Sequence, residues 1–336
     1  MIRVLMVLAD TDRTDANLSA IDLHGGLVRL GAEVRTVALG PGRRGGLASL
    51  VPVLGPGRRS MAAQLQLRRE QAWADVVVAH GLGAARVQHR AGRGRAVPVV
   101  VVLGDEMRPG AGHAATGGAW PVLAAATRVV ATDAATAAEV ASRAPVSTVL
   151  LRFGISPGDA TSAAQRVAAR SQLGLPADGP VLWWVGPPGA AAADTLVGEA
   201  RRRGWPVLEG GGADDELVQA AADVAVLGGD RVAGPPRELL RAAASGCALV
   251  APTMVGDGEL VDDTTGLAWP PPTGGAADAV AGTLLDTVAD AGWRRERGAA
   301  ARGRAQRRFS LAECVGGWWE LLAEVAPPAV EAVPPP

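Results

Sequence analysis

The sequence predicts an α/β protein made of two Rossmann-like domains that face each other across a cleft. Three observations carry this. Short β-branched runs alternate with Ala/Leu/Arg helical patterns almost throughout, which is the mark of parallel βαβ units. A break at 153–166, "FGISPGDATSAAQR", is followed by a fresh strand signal. The chain has 336 residues, 48% of them hydrophobic, enough for two cores of ordinary size.

In order, the first half carries strand patterns at 2–8, 34–39, 75–79, 98–103, 128–132 and 147–151, with helical patterns between them, notably at 16–30 and 134–143. The second half carries strand patterns at 181–186, 206–209, 223–227 and 248–251, then an Arg-rich helix and a last helical pattern at 310–324. The expected division is a first domain at 1–155, a linker at 156–170, a second domain at 171–309, a last helix at 310–325, and a disordered Pro-rich tail at 326–336.

Composition excludes several classes. The net charge is −1, which offers no bulk attraction to nucleic acid. All 33 basic residues are Arg, so no Lys enters any catalytic scheme. Cys247 and Cys314 fit no metal or redox spacing, and two reduced thiols are expected. The opening "MIRVLMVLAD" turns polar too soon for a signal peptide, and no apolar run approaches membrane-spanning length. A cytoplasmic protein is expected, with peripheral membrane contact left open.

Several motifs taken together resemble the GT-B glycosyltransferases, specifically family 4. Residues 2–40 are similar to that family's first strand, acceptor loop, helix and second strand. "WADVVVAHG" at 73–81 resembles its strand ending in His-Gly, and "RSQLGLPADGPVLWWVGPP" at 170–188 resembles the start of its donor domain. "ELLRAAASGCALVAPTMVGDGELVDDTTGLAWPP" at 238–271 follows its helix, strand and Gly-rich loop, and 294–322 resembles its closing helices. The resemblance spans roughly residues 1–325. It implies that the helix at 310–325 crosses over to pack back on the first domain and that the second domain, 171–309, is shortened. It also implies retaining transfer of a sugar from a nucleotide-sugar donor to a glycan, polyol or natural-product acceptor, with no metal and no cofactor beyond the donor substrate.

The donor site departs from the family pattern. The usual Arg after the first donor-domain strand is replaced by Pro187, and the two paired-Glu positions fall on Ala233 and Arg241. Pro235 and Pro236 are expected to open the phosphate-side helix and to remove two backbone donors. One strand-helix pair of the donor domain is also missing from the pattern. These losses leave an alternative open: a catalytically silent relative that serves as a binding or regulatory partner of another glycosyltransferase.

The residues left to do the chemistry are few. Arg237 and Arg241, four apart, can share one helix face toward an anion or form an ordinary solvated face. Glu238 is a candidate catalytic carboxylate or simply a favourable charge at a helix start. Gly186, Gly256 and Gly258 let backbone approach a donor, and Glu259 matches the family's loop glutamate or caps the next helix. On the acceptor side, His80 ends a strand, where it can shuttle a proton, bond a sugar hydroxyl, or be a satisfied structural histidine. Asp10 and Asp12 follow the first strand, and Asp105 in "GDEM" follows another. Segment 42–70 carries six Arg and one Glu around apolar residues, and reads either as weak anionic-membrane contact or as a charged surface loop.

Overall fold

The computed structural model describes the chain apart from residues 44–45, 93–95, 105–117, 157, 159, 186–190, 210–214, 229–234, 253–258, 270–276 and 327–336. It divides into two compact units, one made of residues 1–154 with 311–336, the other of residues 155–310.

The first unit is a parallel sheet of β1 (Arg3–Leu8), β2 (Glu33–Ala38), β3 (Val76–His80), β4 (Val99–Leu103), β5 (Arg128–Ala131) and β6 (Thr148–Leu150). The strand order is β2-β1-β3-β4-β5-β6, with every described pairing parallel. Because side chains alternate along a strand, each strand feeds two cores. Leu5, Val7, Val77, Ala79, Val101 and Leu103 face one side of the sheet. There they meet α2 (Met61–Gln71), α3 (Gly81–Ala91), α4 (Trp120–Ala124) and α5 (Ala134–Arg143). Val4, Met6, Leu8, Val76, Val78, Val100 and Val102 face the other side, under α1 (Asp15–Arg29) and α12 (Leu311–Val325).

The closing helix α12 belongs to the first unit, as the family resemblance implies. Leu311, Val315, Trp318, Leu321, Leu322 and Val325 recur at helical spacing and are all buried. Burying six such side chains is worth on the order of 10 kcal/mol gross. The approach to α1 is close because Gly26 has no Cβ; one placed there would lie 2.3 Å from a Val315 methyl.

The second unit has five parallel strands: β7 (Leu182–Val185), β8 (Val207–Glu209), β9 (Val224–Leu227), β10 (Ala248–Pro252) and β11 (Gly266–Trp269), in the order β11-β10-β9-β7-β8. Trp183, Ala225 and Leu249 point to the side of α9 (Arg237–Ser245) and α11 (Ala291–Arg308). Leu182, Val224 and Val250 point to the side of α7 (Ala191–Arg202) and α10 (Ala277–Ala289). The short helix α8 (Asp215–Ala221) precedes β9. The sequence pattern did not include β11, a four-residue strand with a glycine at its start.

Segment 156–170, expected to be a linker, instead contains most of a helix, α6 (Ala163–Gln172), that is part of the second unit. A capping box starts it: Ser162 accepts from the Gln165 amide, and the Gln165 side chain accepts from the Ser162 amide. Arg170 then ties it to the sheet. Its buried guanidinium pairs with Asp223 just before β9, and donates to the carbonyls of Ala221 at 3.0 Å and Ala177 at 2.8 Å. A linker needs no such anchor; a buried ion pair with every partner in place is a packing feature.

Candidate functional site

Both sheets share one plan. Numbered within each unit, the strand order begins 2-1-3-4-5, so the connections reverse direction between the first and third strands. In open parallel sheets, ligands bind beyond the C-terminal ends of the strands at that reversal. In the first unit the reversal lies between β1 and β3, which places Asp10, Asp12 and His80 there. In the second it lies between β7 and β9.

The loop after β1 is held by its own polar groups. Asp12 accepts from the Arg43 amide at 2.7 Å, and Thr11 Oγ1 accepts from the Gly42 amide at 2.8 Å. Asp10 Oδ1 accepts from the Asp12 amide at 3.1 Å, and the Asn17 amide nitrogen donates to the Asp12 carbonyl at 2.9 Å. Gly46 abuts this clasp; a Cβ there would lie 1.9 Å from the Thr11 carbonyl oxygen. Asp10 and Asp12 therefore shape the loop at the reversal point. Asn17, which the sequence reading passed over, is the residue that ties the two together.

His80 lies at the end of β3 and is only 5% exposed. By strand alternation it falls on the α1/α12 side of the sheet. Both ring nitrogens are buried, and among the described residues neither finds a hydrogen-bond partner. Burial pushes its pKa down to about 4, so the imidazole is neutral at pH 7. It borders a small cavity, with room for about one water, that is also lined by Ser19, Thr132, Cys314 and Trp318. With both nitrogens enclosed, His80 is not placed to touch a substrate in this conformation. A base with that pKa is also poorly matched to proton transfer near neutrality.

In the second unit, Gly228 follows β9 directly and its amide donates to the Val185 carbonyl at 2.8 Å. A Cβ on Gly228 would lie 2.2 Å from the ring of Trp184, so only glycine fits at this end of the sheet. Its signal in the sequence is a glycine that closes an apolar run.

Helix α9 starts beyond the same edge, and here an expectation is corrected. Pro236 is the N-cap and Pro235 lies outside the helix, while Arg237 is the first helical residue. The first intrahelical bond runs from the Leu240 amide to the Pro236 carbonyl. The amides of Arg237, Glu238 and Leu239 thus remain in the first turn, where a helix presents its positive end. Two prolines do not strip this terminus of its donors. Among the described residues no side chain caps it, and the same holds for α3 behind His80. By contrast α1, α2, α5, α6 and α11 are capped by Thr14, Ser60, Asp133, Ser162 and Asp290.

Arg237, Glu238 and Arg241 are all half-buried on α9, with Arg237 and Arg241 one turn apart. Glu259 is half-buried just before Leu260, in a loop fastened by Thr265, whose hydroxyl donates to the Leu260 carbonyl at 2.8 Å. The neighbouring Asp262 is also committed to that loop. Burial raises its pKa, but hydrogen bonds from Thr264 and Arg304 outweigh this and hold it at about 2. Gly186, Pro187, Ala233, Gly256, Gly258 and Asp105 lie outside the described residues, as does most of the Pro-rich tail.

Among the described residues no cluster of three or more His, Cys, Asp or Glu side chains is arranged to hold a metal ion. Both cysteines are free thiols, and burial pushes each up to about 11. Among the same residues no helix is long and apolar enough to cross a membrane.

No protein-family model matches the sequence, and no curated protein matches it either. Solved structures do match in fold. Anabaena HepE, in a complex with UDP and glucose, superposes with a TM-score of 0.77 at 18% identity, covering 96% of this chain and 100% of that one. The sucrose-phosphate synthase of Thermosynechococcus elongatus gives 0.74 at 16% identity, covering 96% and 99%. A glycosyltransferase from Rickettsia africae gives 0.71 at 12% identity, covering 96% and 98%. Likeness over the full length of each, at so little identity, is a statement about architecture: the chain has the α/β fold of the GT-B glycosyltransferases.

Proposed function

We propose that this chain is a GT-B glycosyltransferase resembling family 4, which binds a nucleotide sugar through its second unit and transfers the sugar with retention to a hydroxylated acceptor. The observation that carries the reading is the end-to-end structural likeness to HepE, a protein solved with UDP, with UDP-glucose, and with UDP and glucose.

The chemistry asks for positive charge where the diphosphate departs. The first-turn amides of α9 and the guanidiniums of Arg237 and Arg241 supply it in this reading, without a metal and without Lys. Arg241 stands where the family keeps a glutamate, so the sugar's carboxylate contact passes to Glu238 or Glu259. On the acceptor side the clasp built by Asp10, Asp12 and Asn17 sets the shape of the loop, and Asp105 remains a further candidate. His80 supports that wall from inside.

A thermal shift with UDP, GDP, ADP and TDP tests the reading. A nucleotide present at 100 times its dissociation constant adds about 2.7 kcal/mol to stability. We expect a clear rise in melting temperature with one of the four, abolished by Arg237→Ala combined with Arg241→Ala. No shift with any of them overturns the transferase reading. That result favours the non-catalytic alternative, for which the reversed charge at Arg241 is the specific sequence feature, and recovery of an active glycosyltransferase with this chain from cells would then identify its partner.

A further inference from the structure

Helix α11 is rich in arginine, and several of these side chains reach neighbouring chain. Arg294 donates to the carbonyls of Val288 at 2.7 Å and Ala289 at 2.8 Å, where α10 ends. Arg302 donates to the carbonyl of Ala244, near the end of α9. Arg297 and Arg304 are two turns apart on one face of the helix, and both meet residues 262–264. Arg297 donates to the Thr264 carbonyl at 3.4 Å. Arg304 donates to the Thr264 hydroxyl at 2.9 Å and pairs with Asp262 at 2.6 Å.

The turn that these arginines grip decides where Glu259 stands. Within it, the Asp262 amide donates to the Thr265 hydroxyl at 3.1 Å, and that hydroxyl donates to the Leu260 carbonyl at 2.8 Å. The amides of Thr265 and Gly266 both donate to the Asp262 carbonyl at 3.0 Å. These bonds fix the shape of 260–266 as one closed unit, with Glu259 next to it in the chain. Leu260 and Val261 anchor the unit from below, in the core. Arg304 anchors it from the side, through the Asp262 carboxylate. The pair is partly exposed, 18% for Arg304 and 40% for Asp262, so its contribution to stability is modest. What it supplies is placement. The same helix packs Gly298 against the Gly246 carbonyl at the end of α9, with no room for a Cβ. One rigid element therefore braces both α9, which carries Arg237 and Arg241, and the turn beside Glu259.

We infer that Arg304 is a positioning residue for the donor sugar: through Asp262 it holds the turn at 260–266, and with it Glu259, in register with α9. The inference rests on the transferase reading and deepens it, by assigning the sugar's carboxylate contact to Glu259.

Calorimetric titration of the full chain tests it, with UDP, GDP, ADP and TDP each alone and as its glucose conjugate. The quantity read is the affinity for the conjugate divided by that for the bare diphosphate. A displacement of roughly 1 Å in a site can cost about a hundredfold, and a loosened turn costs part of that. We expect Arg304→Gln and Asp262→Asn each to lower the ratio by about tenfold, while the bare diphosphate keeps its affinity. Asp262→Asn preserves the shape of the side chain and serves where Arg304→Gln fails to fold. Glu259→Gln gives a similar fall, and joining it to Arg304→Gln adds nothing, because both act on one contact. Arg304→Lys retains most of the ratio, since both bonds leave from one nitrogen, Nη2. A bridge that serves stability alone would lower the melting temperature and leave the ratio unchanged, and that result overturns the inference. Additive losses in the double variant overturn it as well. If the unaltered chain binds none of these compounds, the transferase reading falls and this inference falls with it; binding with an unchanged ratio removes the inference alone.

Discussion

Protonating His80 puts a charge on a ring whose nitrogens are buried and bond no described residue, and that cost has a thermodynamic signature. The group's ordinary value is 6.5 and burial lowers it to about 4 in the folded chain. Below pH 6.5 the unfolded chain therefore takes up a proton that the folded one refuses. Stability is intact above 6.5 and drains away as pH falls toward 4, by up to about 3 kcal/mol. Cys314, on the same cavity, stays neutral throughout because burial has raised it. Asp262 contributes in a separate window: its depressed pKa gives stability that is present above 3.8 and lost as pH falls toward 2. We expect His80→Leu, which meets a lining rich in Leu, Val and Trp, to hold its stability at pH 7 and to show a much flatter loss between pH 6.5 and 4. Urea midpoints at several pH values measure this. An unchanged slope means that His80 is hydrated or paired in solution. At this scale the sequence marked His80 as a strand-end histidine. It did not show that the ring is walled off, because the walls come from α1, β4, β5 and α12, up to 238 positions away.

Helices in this protein meet through glycines that helical propensity alone would disfavour. Gly298 on α11 faces the turn that ends α9, where Gly246 takes up a left-handed conformation with φ of 91°. A Cβ on Gly298 would lie 2.0 Å from the Gly246 carbonyl oxygen, and backbone cannot yield as a side-chain end does. Gly298→Ala is expected to cost about 1–3 kcal/mol through this overlap. Gly316 on α12 has nothing within 4 Å of its Cβ position, so Gly316→Ala is expected to gain about 0.5–1 kcal/mol from helix propensity. Melting temperatures moving in opposite directions check the pair. Two equal shifts would show that the α9–α11 contact is looser than drawn. In sequence these residues are alike, each a glycine in an Ala- or Trp-rich helical run. Only the neighbouring chain separates them. The same is true of α2: its 3.6-residue apolar pattern is broken by outward Met61 and Leu65, and 42–70 reads as a loop until the helix is seen.

The whole molecule is cut by its chain path in an unequal way. The second unit is continuous, whereas the first is completed by α12 after the chain has built all of the second. Truncation after Ser310 removes six buried side chains from the face formed by Val4, Met6, Val76 and Val78. That loss is on the order of 10 kcal/mol gross, comparable to the whole stability of a domain. We expect the truncated chain to lose the first unit's cooperative unfolding while residues 155–310 still melt as a folded body. Calorimetry of the truncated and full chains distinguishes the two transitions. Retention of both would mean that α12 is dispensable to the first core.

The sequence by itself determined the alternation of strands and helices, the parallel sheets and most strand positions to within a residue or two. These follow from hydrophobic period and turn chemistry, which act over a few residues and are written locally. It also showed that the chain has no Lys and that Arg241 stands where the family it resembles keeps a glutamate, since neither needs coordinates. Tertiary structure decided the rest. It alone showed that Pro236 caps α9 and leaves the first-turn amides in place, and that residues 163–170 form a helix anchored by Arg170. Only in three dimensions do Asp10 and Asp12 become the clasp of a loop and His80 an enclosed neutral ring. In each case the deciding partner is distant in sequence, and burial and hydrogen bonding depend on what lies nearby in space.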